Sequence, residues 1–149
     1  MTYSIKDVSE RTGLSIYTLR YYDKQGLLPF VARNSAGYRE FTDGDLLLLH
    51  TICCLKNTGM KISDIRRYID FVMEGPSSVA HRRALLESHR AAVQKQLVLV
   101  RNNLKEIDAK LAIYSAPDAA AKVSQELQAA VGEKTRLGLA NTFEKASAA

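Results

Sequence analysis

The sequence predicts a mainly α-helical protein: a winged helix-turn-helix domain followed by a long dimerising coiled-coil helix. Three observations support this prediction. Two short amphipathic segments flank a turn at Gly13, as in a helix-turn-helix. Two extended segments flank a polar turn over residues 32–37, which is typical of a two-stranded wing. A heptad repeat of apolar residues runs from Val93 to Tyr114, as in a coiled coil.

The chain length and these patterns divide the sequence into three parts. A chain of 149 residues has room for one small domain and an extension. Residues 1–75 form the predicted winged helix-turn-helix domain, residues 76–116 the dimerisation helix, and residues 117–149 a C-terminal tail. We expect the tail to be weakly helical or disordered, with mobility beyond Gly132.

The first two helices are predicted from their capping residues. Ser4 can cap a first helix, and Asp7 lies three residues later, as in a capping box. Gly13 ends this helix. Ser15 can cap the second helix, which runs over residues 16 to about 25.

The predicted wing follows the second helix. Residues 27–31 are expected to be extended because Pro29 restricts the residue before it. Residues 32–37 form a polar turn, and residues 38–41 alternate in polarity as a second strand would.

Two further helices are predicted before residue 76. Thr42 can cap a third helix that extends to about Thr58. A fourth helix is expected to begin at Asp64 and to end near Met73, before the break at Gly75 and Pro76.

The long helix carries one narrow apolar stripe, which we call the seam. The spacing between its members alternates between four and three residues, as a heptad repeat requires. A single helix cannot bury such a stripe on itself, so we expect a second copy of the chain to cover it and form a homodimer. The seam consists of Val93, Leu97, Val100, Leu104, Ile107, Leu111 and Tyr114.

Charge and hydropathy exclude some functions and permit others. The formal net charge of +5 permits nucleic-acid binding without requiring it. No apolar run approaches the roughly 18 residues that a membrane span needs, and the N-terminus does not resemble a signal peptide. We therefore expect a cytoplasmic protein that does not enter the membrane.

The second helix has the side chains that a recognition helix needs on its outer face. Arginine can bind a guanine edge or a phosphate, and the hydroxyls of tyrosine and threonine can donate to phosphates. The residues alone leave a second interpretation open, in which this is an ordinary solvated face. Of the adjacent Tyr21 and Tyr22, we predict that Tyr22 packs into the core. The outer face comprises Tyr17, Thr18, Arg20, Tyr21 and Lys24.

The order and spacing of several segments resemble the MerR family of transcriptional regulators over residues 3 to about 74. These segments are Thr18-Leu-Arg-Tyr-Tyr-Asp23, Gly26-Leu-Leu, Arg33, Gly37-Tyr-Arg39, and Asp45 at the start of the third helix. Phe41 departs from the tyrosine more common at that place. The resemblance implies a homodimer that binds and distorts double-stranded promoter DNA, where RNA polymerase engages. The implied DNA contacts are Ser15, Tyr17, Thr18, Arg20, Tyr21, Arg33, Tyr38 and Arg39.

Two adjacent cysteines form the second candidate site. Cys53 is predicted to lie in the core, whereas Cys54 shares a helix face with His50 and Thr58. The segment Cys54-Leu-Lys-Asn-Thr-Gly59 resembles the short, thiol- or aldehyde-responsive AdhR/NmlR-like branch of the family. That resemblance implies that Cys54 is a sensing thiol in a stress response to aldehydes, electrophiles or oxidants.

Other functions remain as alternatives. Cys54 could be a core residue of a regulator that senses a small ligand at the dimer interface. A thiol enzyme using Cys54 and His50, or a coiled-coil adaptor, would be a different class of protein. We predict no enzyme activity, no catalytic residues and no cofactor, because the sequence has no cofactor loop and Cys53-Cys54 is not the Cys-x-x-Cys redox arrangement. We also predict no metal site, because no cysteine follows Cys54 and His81 and His89 are about two helical turns apart.

Overall fold

The computed structural model describes residues 1–143, and these form six α-helices and one two-stranded sheet. The last residues of the predicted tail, 144–149, lie outside the described residues. The chain divides into two compact units between Gln96 and Leu97. In chain order the elements are α1 (Ile5–Thr12), α2 (Ile16–Lys24), β1 (Ala32–Arg33), β2 (Arg39–Glu40), α3 (Asp43–Asn57), α4 (Ile62–Glu74), a 3-10 turn (Gly75–Ser78), α5 (Val79–Tyr114) and α6 (Ala119–Arg136).

The first three helices begin at the predicted caps. The Ser4 hydroxyl accepts from the backbone N–H of Asp7, and the Asp7 carboxylate accepts from the backbone N–H of Ser4 at 2.8 Å. The Ser4 hydroxyl also lies 2.7 Å from the Asp7 carboxylate and can donate to it, and this bond together with the bond from the Ser4 N–H lowers the pKa of Asp7. Ser15 caps α2, and Thr42 caps α3 with a second capping box. Each cap satisfies backbone N–H groups that have no partner within the helix.

The hairpin is shorter than predicted and begins later. Its antiparallel strands pair Ala32 with Glu40 and Arg33 with Arg39. The prediction of an extended segment over 27–31 was wrong, because the chain turns there and the Val31 N–H bonds the Leu28 carbonyl at 3.2 Å. The loop closes at Gly37, whose φ of +83° favours glycine.

A single core joins the elements of the first unit. Phe41 pairs with Tyr3 in an isolated antiparallel bridge, which attaches the end of the hairpin to the N-terminus. The remaining core side chains come from α1 to α4 and the segments between them. The fully or nearly fully buried apolar residues are Tyr3, Val8, Leu19, Tyr22, Leu27, Leu28, Phe41, Leu49, Ile52, Leu55, Met60, Ile65 and Ile69.

The junction between α4 and α5 is a polar contact around a buried hydroxyl. Helix α4 begins two residues earlier than predicted, after Lys61, with no side-chain cap. At its end, Ser78 is fully buried and donates to the carbonyl of Gly75 at 2.8 Å. Arg82 on α5 donates to the Ser78 hydroxyl at 2.9 Å and to the Gly75 carbonyl at 3.0 Å. The start of α5 is therefore fixed to the carbonyl end of α4, where cations are favoured.

The predicted long helix is α5, and its apolar seam is exposed in the single chain. From Leu97 to Tyr114 each seam side chain is between 47% and 61% accessible. Helix α6 continues to Arg136, one turn beyond the predicted limit at Gly132. No helix within residues 1–143 is both long enough and apolar enough to cross a membrane.

Candidate nucleic-acid interface

Helix α2 is held in place from its inner face and from its C-terminal end. Leu19 and Tyr22 are buried in the core, as predicted for Tyr22. After the last turn, the Gln25 carbonyl accepts from Arg66 Nε of α4 at 2.6 Å, and the Gln25 side chain accepts from Arg66 Nη2 at 3.3 Å. These contacts fix the rotation of α2 and thereby decide which side chains face outward.

The outward face of α2 presents tyrosine and arginine to solvent. Tyr17 is 81% accessible, Arg20 is exposed, and Tyr21 is partly exposed beside the buried Tyr22 ring. Ser15 and Thr18 lie at the start of the helix, where their hydroxyls bond each other at 2.9 Å. The Ser15 hydroxyl is therefore committed to capping, which limits what it can offer to a ligand.

The hairpin carries a further exposed aromatic side chain. Tyr38 is 72% accessible at the end of the loop. Asn34 stabilises this loop, because its side-chain oxygen accepts from the backbone N–H groups of Ala36 and Tyr38, both at 3.0 Å. A phenol held on a short, closed loop can press against a sugar–phosphate backbone without an ordering cost.

Both predicted wing arginines bond to Asp23 of α2. Arg39 donates to the Asp23 carboxylate through Nε at 2.9 Å and also through Nη2. Arg33 donates to the same carboxylate oxygen at 3.2 Å and to the Gly37 carbonyl at 2.8 Å. The Arg39 side chain is only 19% accessible, whereas that of Arg33 is 51% accessible. In this geometry Arg39 joins the hairpin to α2, and Arg33 retains more surface for a phosphate.

We expect an Asp23→Asn protein to lose about 1–3 kcal/mol of unfolding free energy, because the largely buried Arg39 would lack its charged acceptor. Urea denaturation would measure the loss. The matched control is Asp118→Asn, which removes an exposed i,i+4 pair with Lys122 at 3.3 Å and should cost less than about 0.5 kcal/mol. Equal effects of the two substitutions would show that Asp23 does not hold the hairpin.

The two cysteines of α3 lie in different environments. Cys54 is exposed and Cys53 is half-buried against the core. Burial raises the pKa of the Cys53 thiol, and the neighbouring Cys54 adds to the effect. At neutral pH, a larger share of Cys53 therefore carries its proton than an ordinary cysteine would. Among residues 1–143 no three His, Cys, Asp or Glu side chains form a group that could hold a metal ion.

The end of α3 is bonded to α5 through Thr58. The Thr58 hydroxyl lies 2.8 Å from the Cys54 carbonyl oxygen and 2.7 Å from Nε2 of His89. Since a carbonyl cannot donate, a hydroxyl proton directed at Cys54 requires His89 to donate to Thr58. The helix that carries both cysteines is thus connected to the helix that carries the seam.

Comparison with known proteins identifies the family. Residues 3–71 match the MerR HTH family regulatory protein model, and residues 46–110 match the model described as MerR, DNA binding. An HTH-type transcriptional regulator of Haemophilus influenzae is 42% identical over 114 residues, which are 76% of this chain and 84% of that protein. The regulator AdhR of Bacillus subtilis is 33% identical over 87 residues, which are 58% of this chain and 62% of AdhR.

A solved structure agrees with the sequence comparison. The crystal structure of HiNmlR, a MerR family regulator lacking the sensor domain, bound to promoter DNA, is similar with a TM-score of 0.72 at 42% identity. The match covers 76% of this chain and 90% of that one. The predicted family and fold are confirmed, and the related proteins are regulators rather than enzymes. The chain belongs to the MerR family of DNA-binding transcriptional regulators.

Proposed function

We propose that the chain acts as a homodimer that binds double-stranded promoter DNA through α2 and the hairpin, distorts that DNA, and responds to electrophiles at Cys54. The observation that carries this proposal is that Tyr17 and Arg20 of α2 and Tyr38 of the hairpin are all exposed, on two elements that Asp23 joins. This regulator would work in the cytoplasm, where its promoter lies.

Dimerisation is inferred from the seam of α5. Seven apolar residues at heptad spacing would otherwise stay in contact with water, and each buried square ångström contributes about 25 cal/mol. A second copy of the same helix offers a matching stripe, and a closed twofold dimer leaves no further stripe exposed.

The charges beside the seam favour antiparallel helices. If Leu104 lies opposite the partner subunit's Ile107, then Arg101 faces the partner subunit's Asp108, and the twofold axis repeats this pair. Parallel helices would place Asn103 beside Asp108 and Gln96 beside Arg101, with no opposite charges between them. Charges that flank a coiled-coil seam are known to select helix orientation.

An antiparallel dimer would carry its two α2 helices at opposite ends of the seam. Two helices separated in this way would contact two half-sites of a promoter, whose spacing depends on the bend and twist of the DNA. A change in the relative position of the two DNA-binding domains of the dimer would then change the bend and twist of the promoter. RNA polymerase would then transcribe from the promoter more often, which is activation, or less often, which is repression.

Cys54 is the better of the two thiols for sensing. It is exposed, whereas Cys53 is half-buried with a raised pKa and therefore forms less thiolate at neutral pH. The Cys54 thiolate would add to an aldehyde carbonyl carbon, forming a C–S bond, while the carbonyl π electrons move to oxygen and accept a proton. The bulkier side chain would alter the packing around the end of α3.

We expect a Cys54→Ser protein to bind the promoter as the unmodified chain does, but to show no change in run-off transcription when an aldehyde is added. The template is the DNA upstream of the protein's own gene. The matched control is Cys53→Ser, which should keep the response. A full aldehyde response from the Cys54→Ser protein would remove Cys54 as the sensor and favour a small ligand as the signal.

A further inference from the structure

A groove in the first unit lies between α4 and the first half of α5. Its volume is about 480 Å³, which is within the range of small-molecule pockets. The turn between α3 and α4 forms one end, at Gly59 and Met60. None of the predicted DNA contacts lines this groove.

One part of the groove wall is aromatic. The rings of Phe71 and His81 stack with centroids 5.1 Å apart and an interplanar angle of 18°. The Arg67 guanidinium carbon lies 5.9 Å from the centre of the Phe71 ring. A cation therefore adjoins an apolar surface, so the groove offers both features to one ligand.

The charge of the groove is predominantly positive. Two cationic side chains, Lys61 and Arg67, line it against the single carboxylate of Asp64. In the part of the chain that the structure describes, neither Lys61 nor Arg67 forms an ion pair. Unpaired cations in a recess attract anions more strongly than the same cations on a flat surface.

The walls of the groove are held by bonds that connect them. His89 is bonded to Thr58 at 2.7 Å, and Arg82 is bonded to the last carbonyls of α4. A ligand would therefore enter a site whose shape already exists, which lowers the entropic cost of binding.

We propose that this groove binds a small organic anion with a flat apolar part. The carboxylate, or an equivalent anionic group, would pair with Arg67 and Lys61, and the apolar part would contact the stacked pair of Phe71 and His81. The anion would act as a second signal in addition to Cys54, because it would bridge α5 and α4, and α4 holds the C-terminal end of α2 through Arg66. This regulatory consequence rests on the proposed function, whereas binding itself does not.

The test is isothermal titration of the full-length chain, without DNA, with 2-naphthoate and with its neutral analogue 2-naphthamide. We expect 2-naphthoate to bind at least about tenfold more tightly than the amide, because only the acid can form charge-assisted hydrogen bonds. Arg67→Gln should weaken naphthoate binding about tenfold and leave amide binding unchanged. Ala84→Trp, which fills the groove, should weaken the binding of both compounds.

The matched control is Arg83→Gln, which removes an exposed arginine of α5 outside the groove and should leave both affinities unchanged. Equal affinities of the acid and the amide, or no loss in the Arg67→Gln protein, would overturn the proposal. Absence of naphthoate binding to the unmodified chain would also overturn the proposal. This result is expected if a partner subunit covers the groove. The titration contains neither promoter DNA nor aldehyde, so its outcome is separate from failure of DNA binding or of the Cys54 response.

Discussion

An Arg20→Ala protein is expected to bind promoter DNA at least about thirtyfold more weakly than the unmodified chain. Arg20 is exposed on the outward face of α2, where a guanidinium can form two hydrogen bonds with a guanine edge. Each such contact contributes about 1–3 kcal/mol, and a dimer has two, so the expected loss is about 2–6 kcal/mol. Fluorescence anisotropy with a labelled promoter fragment would measure it.

The type of loss distinguishes base recognition from phosphate binding. If Arg20 reads a base, Arg20→Ala should also reduce the preference for the promoter over unrelated DNA. If Arg20 binds a phosphate, the substitution should instead weaken binding to the promoter and to unrelated DNA equally. It should also lower the salt dependence of binding by about one counterion per site. Arg83→Ala is the control, since Arg83 lies on α5 and pairs with Glu87 at 2.8 Å. A similar loss in both proteins would mean that only net charge matters.

The features that were predictable from sequence depend on near neighbours in the chain. Ser4, Ser15 and Thr42 cap helices because a hydroxyl bonds a backbone N–H two or three residues later, and residue type and spacing indicate this directly. The heptad seam is equally local, since its period determines one helix face. For the same reason Tyr22 could be assigned to the core.

The role of Asp23 was not predictable in this way. Its partners Arg33 and Arg39 lie on the hairpin, ten and sixteen residues further along. No local pattern shows that these arginines face a carboxylate of α2 instead of solvent. One signal was available in the sequence. Asp23 ends the segment that resembles the MerR family and also contains Arg20, and an acidic residue is unexpected on a surface that binds phosphates.

The hairpin and α4 deviated from prediction because tertiary contacts outweigh local preference. Pro29 restricts Leu28, but Leu28 is buried and the chain turns there to place it in the core. Helix α4 begins after Lys61 because Met60 is buried just before it, although Lys61 offers no cap. Burial of one apolar side chain is worth more than one missing cap.

A Leu104→Glu protein is expected to dimerise at least about a hundredfold more weakly than the unmodified chain. In the proposed dimer, Leu104 lies at the centre of the seam, and the substitution would place two carboxylates there without partners. Sedimentation equilibrium would measure the shift to monomer. DNA affinity should fall with it, because a monomer contacts a single half-site. The matched control is Leu99→Glu, an exposed leucine of the same helix that lies outside the seam.

Paired charge reversal tests the orientation of the helices in that dimer. Arg101→Asp should weaken the dimer, because Asp108 of the partner subunit would then face a like charge. Adding Asp108→Arg should restore it, since the opposite charges are exchanged and face each other again. In a parallel dimer these residues do not meet, and the second substitution would bring no recovery. A dimer that is unaffected by Leu104→Glu would place the interface elsewhere on the chain, and α5 would lose its role as the dimerisation helix.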